Sequence, residues 1–414
     1  MTTVIKNASQ IITVTGRGLG VISNGAVCIK NGKISTVVQN VSRPCVQVRD
    51  SKLKIRNSEI INAKGCVVMP GFVDCHTHLV FAGTRADEFT MRLEGKTYKE
   101  ILAAGGGILQ TVSATQKANE QALYELAQKR IDEIIRWGTT TVEIKSGYGL
   151  DTKSELKILR VIKRLTEKNK SRITIIPTFL GAHAIPKETK KSDYIKTLIS
   201  EMIPKVAKEN LAQFCDVFCE NFVFTAQDSK GILTTAKKYG LIPKIHADEI
   251  EPSGGAEIAA AVGAISAEHL LYPSNAGLKA MKKKDVTAVL LPGTTLFLKS
   301  KQIPPVEKMR ELGITIALGS DYNPGTCMIY QMPIIIALAC LLYNLTLTEA
   351  IRGVTINSAK ALGLDKNIGT IEAGKDAELL ILDIPDYKHI PYQFGKNLVK
   401  TVIKKGKVIY PQTV

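Results

Sequence analysis

Only six histidines occur in the 414 residues, and five of them fall in short patches that also carry acids, glycines or other polar groups. His76 and His78 form a His-x-His pair in VMPGFVDCHTH, His183 closes TFLGAH, His246 opens HADE and His269 ends AEH. Asp321 lies in GSDYNPG. Residues two apart in an extended strand face the same side, so both imidazoles of the pair can reach one ion. With His246 and Asp321 they make a nitrogen-rich set suited to Zn²⁺ or iron and poorly suited to Mg²⁺ or Ca²⁺. Such an ion acidifies water, and a proton acceptor is then needed beside it. Glu249, three residues after His246, is the candidate, with His269 placed to orient it or to stabilise developing negative charge. Asp321 is a second candidate for the proton work, and the sequence leaves that choice open.

These patches need a scaffold that brings distant strand ends to one place. Between residues 68 and 367 strand and helix patterns alternate. Helical periodicity over Glu120 to Trp137 gives way to TTTVEIKSG, and a helix from Lys153 to about Lys168 precedes RITIIPTFLGAH. CDVFCENFVF, LIPKIHADE, GAISAEHL, DVTAVLLPG and ITIALGSDYN continue the series. With CVVMPGFVDCHTH counted as the first, there are eight strands, which predicts a (β/α)₈ TIM barrel, an α/β fold that gathers its chemistry at the C-terminal strand ends. The five histidines and Asp321 all fall there. Residues 1–67 and 368–414 read instead as short strands and turns, Asn31-Gly32 among them. They are expected to form one small β-sandwich domain from both termini.

Composition narrows the function classes. The chain is 45% hydrophobic, as globular proteins are. Ile329 to Leu342 is the most apolar stretch and is too short for a bilayer span, so it reads as a buried helix. No signal peptide is evident, and eight scattered cysteines without a CxxC pair suit reduced thiols in the cytoplasm. Cys215 and Cys219 are four apart in a strand pattern, with nothing nearby to complete a metal site. The net charge of +17 raises nucleic acid as a partner, yet lysine runs such as Lys187 to Lys191 and Lys282 to Lys284 read as solvated helix faces, and no nucleic-acid motif is present. Gly105 to Gly107 lack the pattern of a phosphate loop. They read as a loop near the pocket, and His389 reads as a surface residue.

PGFVDCHTH, HADE, AEH and GSDYNPG resemble the amidohydrolase superfamily. CHTHLVFAGTRADEF, AGGGI with TVSAT, EIKSGYGL, TFLGAH and SDYNPGT are similar, within it, to the imidazolonepropionase family. The resemblance spans nearly the whole chain. It implies one transition metal, zinc first and iron as the alternative, held by His76, His78, His246 and Asp321. It also implies hydrolysis of the lactam bond of a small anionic substrate, imidazolonepropionate, to N-formimidoyl-L-glutamate, a step of histidine degradation. Arg85 would clamp the propionate bidentately. Tyr148, set between Gly147 and Gly149, together with Glu249, Asn323, Gly325 and Thr326, would contact substrate or product, and His183 would donate to the ring carbonyl. Binuclear relatives bridge their metals with a carboxylated lysine. Strand four has no lysine at its end, and Lys145 on strand two reads as a structural residue. A homodimer is the expected assembly, without membrane or nucleic acid. The rival readings are a cytosine or guanine deaminase with the same H-x-x-E spacing, and a metal-free scaffold protein.

Overall fold

A computed structural model describes residues 2–39, 58–96, 100 and 105–411. The chain begins with β1 (Thr2–Ile12), β2 (Val21–Lys30), β3 (Lys33–Gln39), β4 (Ser58–Asn62) and β5 (Val67–Pro70). The barrel follows as β6 (Phe72–Asp74), β7 (Thr139–Lys145), β8 (Thr174–Ala182), β9 (Phe214–Cys219), β10 (Ile242–Ala247), β11 (Ser266–His269), β12 (Thr287–Leu290) and β13 (Ile316–Leu318). The chain then returns through β14 (Leu379–Leu382), β15 (Val399–Lys404) and β16 (Lys407–Tyr410).

Strands β6 to β13 pair in sequence order, and all the registered pairs are parallel. The sheet closes just past the strand ends. Asp321 N–H donates to the His76 carbonyl at 3.0 Å and His78 N–H to the Tyr322 carbonyl at 3.0 Å. Asp74 adds a side-chain stitch by accepting Ser320 N–H at 3.0 Å. The seam of the barrel therefore runs through the His-x-His pair and Asp321, and the cost of an open edge is removed where the site lies.

Alternation sorts each barrel strand into two faces. Val142 and Ile144 of β7, and Cys215, Val217 and Cys219 of β9, join the apolar layer under the helices. The intervening Glu143, Lys145 and Asp216 are fully buried and point into the barrel, where Lys244 and Glu268 meet them. The usual filling of a barrel of this kind is branched apolar side chains; here its axis is ionic.

The outer strands form a single sheet in the order β16-β15-β14-β5-β1-β2-β3, with β4 beside β1. Its arms close on a common core of Ile5, Ile11, Val27, Ile29, Val68, Leu379 and Ile403. The two termini are thus one small domain, joined where β14 runs antiparallel to β5. Val67–Pro70, read from sequence as the start of strand one, belongs to this sheet; the chain passes into the barrel at Gly71. At the other crossing Ile368 packs with the barrel and Ile371 with the small sheet. The apolar segment forms the largely buried helix Met332–Tyr343. No helix among the described residues is long and apolar enough to cross a membrane. Cys45 lies outside the described residues, and the other seven cysteines form no disulfide.

One buried cation joins the two parts. Lys404 of β15 donates to the Thr140 carbonyl and Thr174 hydroxyl of the barrel, both at 2.7 Å, and pairs with Glu378, which also accepts from Thr141 at 3.1 Å. Lys404→Ala would leave Glu378 buried without its countercharge, a loss of about 3–5 kcal/mol. A lowered urea midpoint with unchanged metal binding is the expected result.

Candidate metal centre

At the C-terminal end of the strands, a cavity of about 770 Å³ is lined by His78, Tyr148, His183, His246, Glu249, His269 and Asp321. Arg85, Glu88, Arg92 and Lys96, close together in the chain, line it as well. The sequence-derived ligand set is brought together at the base. His76, His78 and His246 each offer a ring nitrogen within 4.8 Å of the others. Asp321 Oδ1 lies 3.4 Å from His76 Nε2 and 3.5 Å from His78 Nε2. Asp321 itself is held at φ 52°, a conformation unusual outside glycine, which turns its carboxylate inward from the last strand.

Whether these residues fit a cation can be judged from their unmet needs. His76 Nε2, His246 Nε2 and His78 Nδ1 are buried without hydrogen-bond partners, which is costly for polar atoms. The opposite sides of two rings are backed by acids. Glu268 is in contact with His76 Nδ1, and Asp216 Oδ2 lies 3.0 Å from His246 Nδ1. Metal-binding histidines use such acids to fix ring orientation and raise basicity. Electrostatics agree. Burial opposes charge on His76, but Glu268 and Asp321 outweigh it and raise its pKa to about 9. Burial likewise opposes charge on Asp321, which the surrounding histidines hold well below the ordinary carboxylate range. Asp321, Glu268 and Asp216 set against the rings supply the negative charge that a cation needs.

Beneath the histidines lies a cluster that sequence reading missed, apart from Lys145. The Lys145 ammonium is 2.7 Å from Asp216, 3.0 Å from Glu143 and 3.0 Å from Glu268. Lys244 is 2.9 Å from Glu268 and 3.3 Å from Glu143. Burial disfavours the charge on Lys145, but Asp216, Glu143 and Glu268 overcome it and raise its pKa well above normal. Enclosed by these three carboxylates and not part of the cavity lining, the Lys145 amine is not placed to bridge two metals in the cavity.

The proton-handling groups differ in environment. Burial first, then Asp321 and Glu220, push Glu249 up to about 8, while its Oε2 sits 3.4 Å from His269 Nε2. Glu220 fixes this segment by accepting the N–H groups of Glu249 and Ile250 at 2.7 and 2.9 Å. Asp248 faces away from the cavity, capping the helix Gly255–Val262 through bonds to Gly255 and Ala256. Burial lowers both His183 and His269 to about 3, so both rings are neutral.

Several expectations about substrate contacts need correction. His183 Nδ1 is 3.0 Å from the Gly147 carbonyl, which can only accept, so Nδ1 carries the proton. The remaining nitrogen of this neutral ring is a lone pair, and donation to a carbonyl is not available to it. Arg85 directs Nε and Nη2 to Glu88, at 2.8 and 2.6 Å. Its Nε–Nη2 edge is occupied, and Nη1 remains for a ligand. Asn323 spends its amide on its own loop, donating to Asp321 O and Thr326 Oγ1 and accepting from Gly325 and Thr326 N–H. The Thr326 hydroxyl, which only accepts there, keeps its hydrogen. Gly325 makes room: a Cβ on it would lie 1.9 Å from Arg85 Nη1. Gly147 and Gly149 likewise serve packing, since a Cβ would meet His183 at one and the backbone of Glu155 at the other. Glu155 accepts the N–H groups of Gly147, Gly149 and Leu150 and so holds Tyr148 at the wall.

Arg92 was not anticipated. It shares Glu88 with Arg85, lines the cavity and keeps Nη1 buried without a partner. Its spacing, four residues after Glu88 and seven after Arg85, was the available signal. Gly107 N–H also donates to Glu88, at 2.8 Å, which ties the glycine segment to this wall and not to a phosphate. Cys215 and Cys219 lie buried in β9 away from the histidines, Lys187 and Lys282 to Lys284 are exposed, and His389 pairs locally with Gln393.

Comparison with known proteins agrees with this geometry. A family model described as the Amidohydrolase family matches residues 67–409. The chain is 45% identical over 418 residues to the imidazolonepropionase of Geobacillus sp. (strain WCH70), covering 98% of this chain and 97% of the relative. It is 45% identical over 423 residues to that of Clostridium tetani (strain Massachusetts / E88), covering 99% and 98%. Among solved structures it resembles a 5-methylcytosine deaminase from Klebsiella pneumoniae, with a TM-score of 0.74, 19% identity and coverage of 99% and 98%. The E. coli guanine deaminase gives 0.73 at 15% identity, with both chains covered in full. At such identities the two deaminases share the fold.

Glu268→Gln keeps the shape behind His76 and removes the charge. Zn²⁺ affinity, read by chelator competition, should fall about 10–100-fold; an unchanged affinity would show that Glu268 does not support the ligand.

Proposed function

Since the chain belongs to the amidohydrolase family and, within it, to the imidazolonepropionases, we propose that two sets of residues lining its cavity divide the work between a substrate's anionic tail and its reacting lactam. The reaction is hydrolysis of the lactam C–N bond of 4-imidazolone-5-propionate to N-formimidoyl-L-glutamate, a step of histidine degradation. The observation that carries the division is the lining of the cavity, which joins His78, His246 and Asp321 with Arg85 and Arg92. A deaminase acting on a neutral base has no use for the two arginines.

His76, His78, His246 and Asp321 would hold one metal ion, and zinc suits the three imidazoles and one carboxylate. When bound, the ion would acidify a water and polarise the carbonyl under attack. Glu249 is the general base in this reading. Both oxygens of Asp321 are engaged, Oδ1 by the histidines and Oδ2 by the Thr294 hydroxyl at 2.5 Å. Glu249 lines the cavity, and its pKa, raised to about 8 by burial, makes it a stronger base than Asp321, which suits a group that takes a proton from water and returns it to the departing ring nitrogen. His269, neutral and with its Nε2 3.4 Å from Glu249, uses its single N–H to keep that carboxylate aimed.

Recognition follows from the remaining donors and acceptors. The His183 lone pair accepts a ring N–H, so it selects a lactam in its protonated-nitrogen form. Arg85 Nη1 and the unpartnered Arg92 Nη1 take the propionate, with Glu88 keeping both guanidinium groups in place. The Thr326 hydroxyl and Tyr148 flank the ring.

Loss of the substrate's ultraviolet absorbance is the direct assay, with metal content read on the same sample. Turnover abolished by a chelator, with about one ion per chain, is the expected result; a metal-loaded protein inactive on this substrate would refute the assignment. His246→Ala should lose both metal and turnover. Arg85→Ala should keep the metal and raise KM by about 10–100-fold, the range for one lost charge-assisted contact of roughly 1.5–3 kcal/mol. Loss of metal in that variant would overturn its role.

A further inference from the structure

Two of the buried carboxylate clusters have the composition of cation sites in their own right. His76, Glu143 and Glu268 form one, and Asp216, His246 and Glu268 form another, each with ligand atoms within 4.8 Å. Both adjoin the Nδ1 side of the histidines, opposite the catalytic cavity. Within them His76 Nδ1, His246 Nδ1, Glu143 Oε2 and Glu268 Oε2 are buried and make no aligned hydrogen bond. Carboxylates and imidazoles in this arrangement, out of water, hold cations. The Lys145 ammonium is already there, within 3.0 Å of Asp216, Glu143 and Glu268 and with no exposure to solvent.

We propose that Lys145 is a built-in cation filling a latent second metal site, and that this ammonium keeps the centre mononuclear. An ammonium is a fixed, non-exchanging point charge of +1 with three donors. It pairs with Asp216 Oδ2 and Glu268 Oε2, the same oxygens that back His246 Nδ1 and His76 Nδ1. A divalent ion at the same point would compete for those nitrogens and carboxylates and turn the rings away from the catalytic cavity. Lys145 is thus a positioning residue that acts on His76 and His246 through Glu268 and Asp216. Lys244 supports it from below, adding a second ammonium to Glu143 and Glu268.

The inference rests on the mononuclear reading of the site, and Co²⁺ binding separates the two. The full chain is stripped of metal and titrated with Co²⁺, following visible absorption and equilibrium dialysis. The wild-type protein should saturate at one equivalent; no binding would overturn the reading of the site, and two tight equivalents would overturn the role of Lys145. In Lys145→Ala, which opens a cavity and strips the cluster of a charge, two equivalents should bind. Ethylammonium at high concentration, by refilling the cavity, should return the count to one. A folded Lys145→Ala that binds one ion with wild-type affinity would refute the proposal while leaving the catalytic site intact. If that variant folds only with metal, the stoichiometry of the refolded protein gives the same decision. If it does not fold at all, Lys145→Gln, which keeps most of the side chain's bulk and removes its charge, is titrated instead, and one equivalent bound with wild-type affinity there refutes the proposal.

Discussion

Charge buried along the barrel axis is the constraint to which the other features answer. An isolated ion removed from water costs several kcal/mol, and pairing offsets this only when the geometry is close and every remaining group is satisfied. Glu143, Lys145, Asp216, Lys244 and Glu268 meet that condition by sharing one another. Their placement then dictates what stands above. Glu268 and Asp216 can back His76 and His246 only because Lys145 and Lys244 hold them from below. A barrel filled with valine and isoleucine would be at least as stable, but would offer the imidazoles nothing to orient them.

The arginine pair follows the same rule on a smaller scale. One carboxylate, Glu88, serves Arg85, Arg92 and the backbone of Gly107. Because it neutralises one guanidinium and not both, the pair keeps a positive charge for a ligand. The two arginines are ordered before any ligand arrives, so little rotamer entropy remains to be lost on binding. Gly325 is part of this arrangement by what it lacks, since any side chain there would displace the guanidinium.

The strand order and the residues gathered at the base of the cavity were legible because they depend on local signals. Strand ends carry the histidines, glycines punctuate the loops, and alternation tells inside from outside. Residue pairs that meet across strands were harder. Glu268 was visible as the middle of AEH, yet nothing in the sequence says that its partner is Lys145, 123 positions earlier. A general signal did exist: β7 carries Glu143 and Lys145 at alternate positions, and β9, β10 and β11 carry Asp216, Lys244 and Glu268, all among buried neighbours. A charge in a strand covered on both sides must face the axis and must find a countercharge there. Roles that depend on hydrogen-bond direction were beyond reach. The His183 tautomer is set by a carbonyl 36 residues away, and the Asn323 amide turns to its own loop for reasons of backbone geometry that composition does not encode. The first strand was read as too long because VVMP and FVD are apolar alike, while the pairing partners that separate them come from β14 and β7.

The seam at which the barrel closes has a consequence for how the protein is made. His76 and His78 leave the ribosome early, but their backbone partners, Asp321 and Tyr322, emerge roughly 245 residues later, which at about 5–20 residues per second is some 12–50 seconds. During that interval the two imidazoles belong to an open-edged sheet without Asp321 and without the closing hydrogen bonds. The base of the cavity is therefore completed late in biogenesis, when the last strand docks. The newborn chain passes through most of its synthesis with its most reactive side chains waiting for a partner not yet translated.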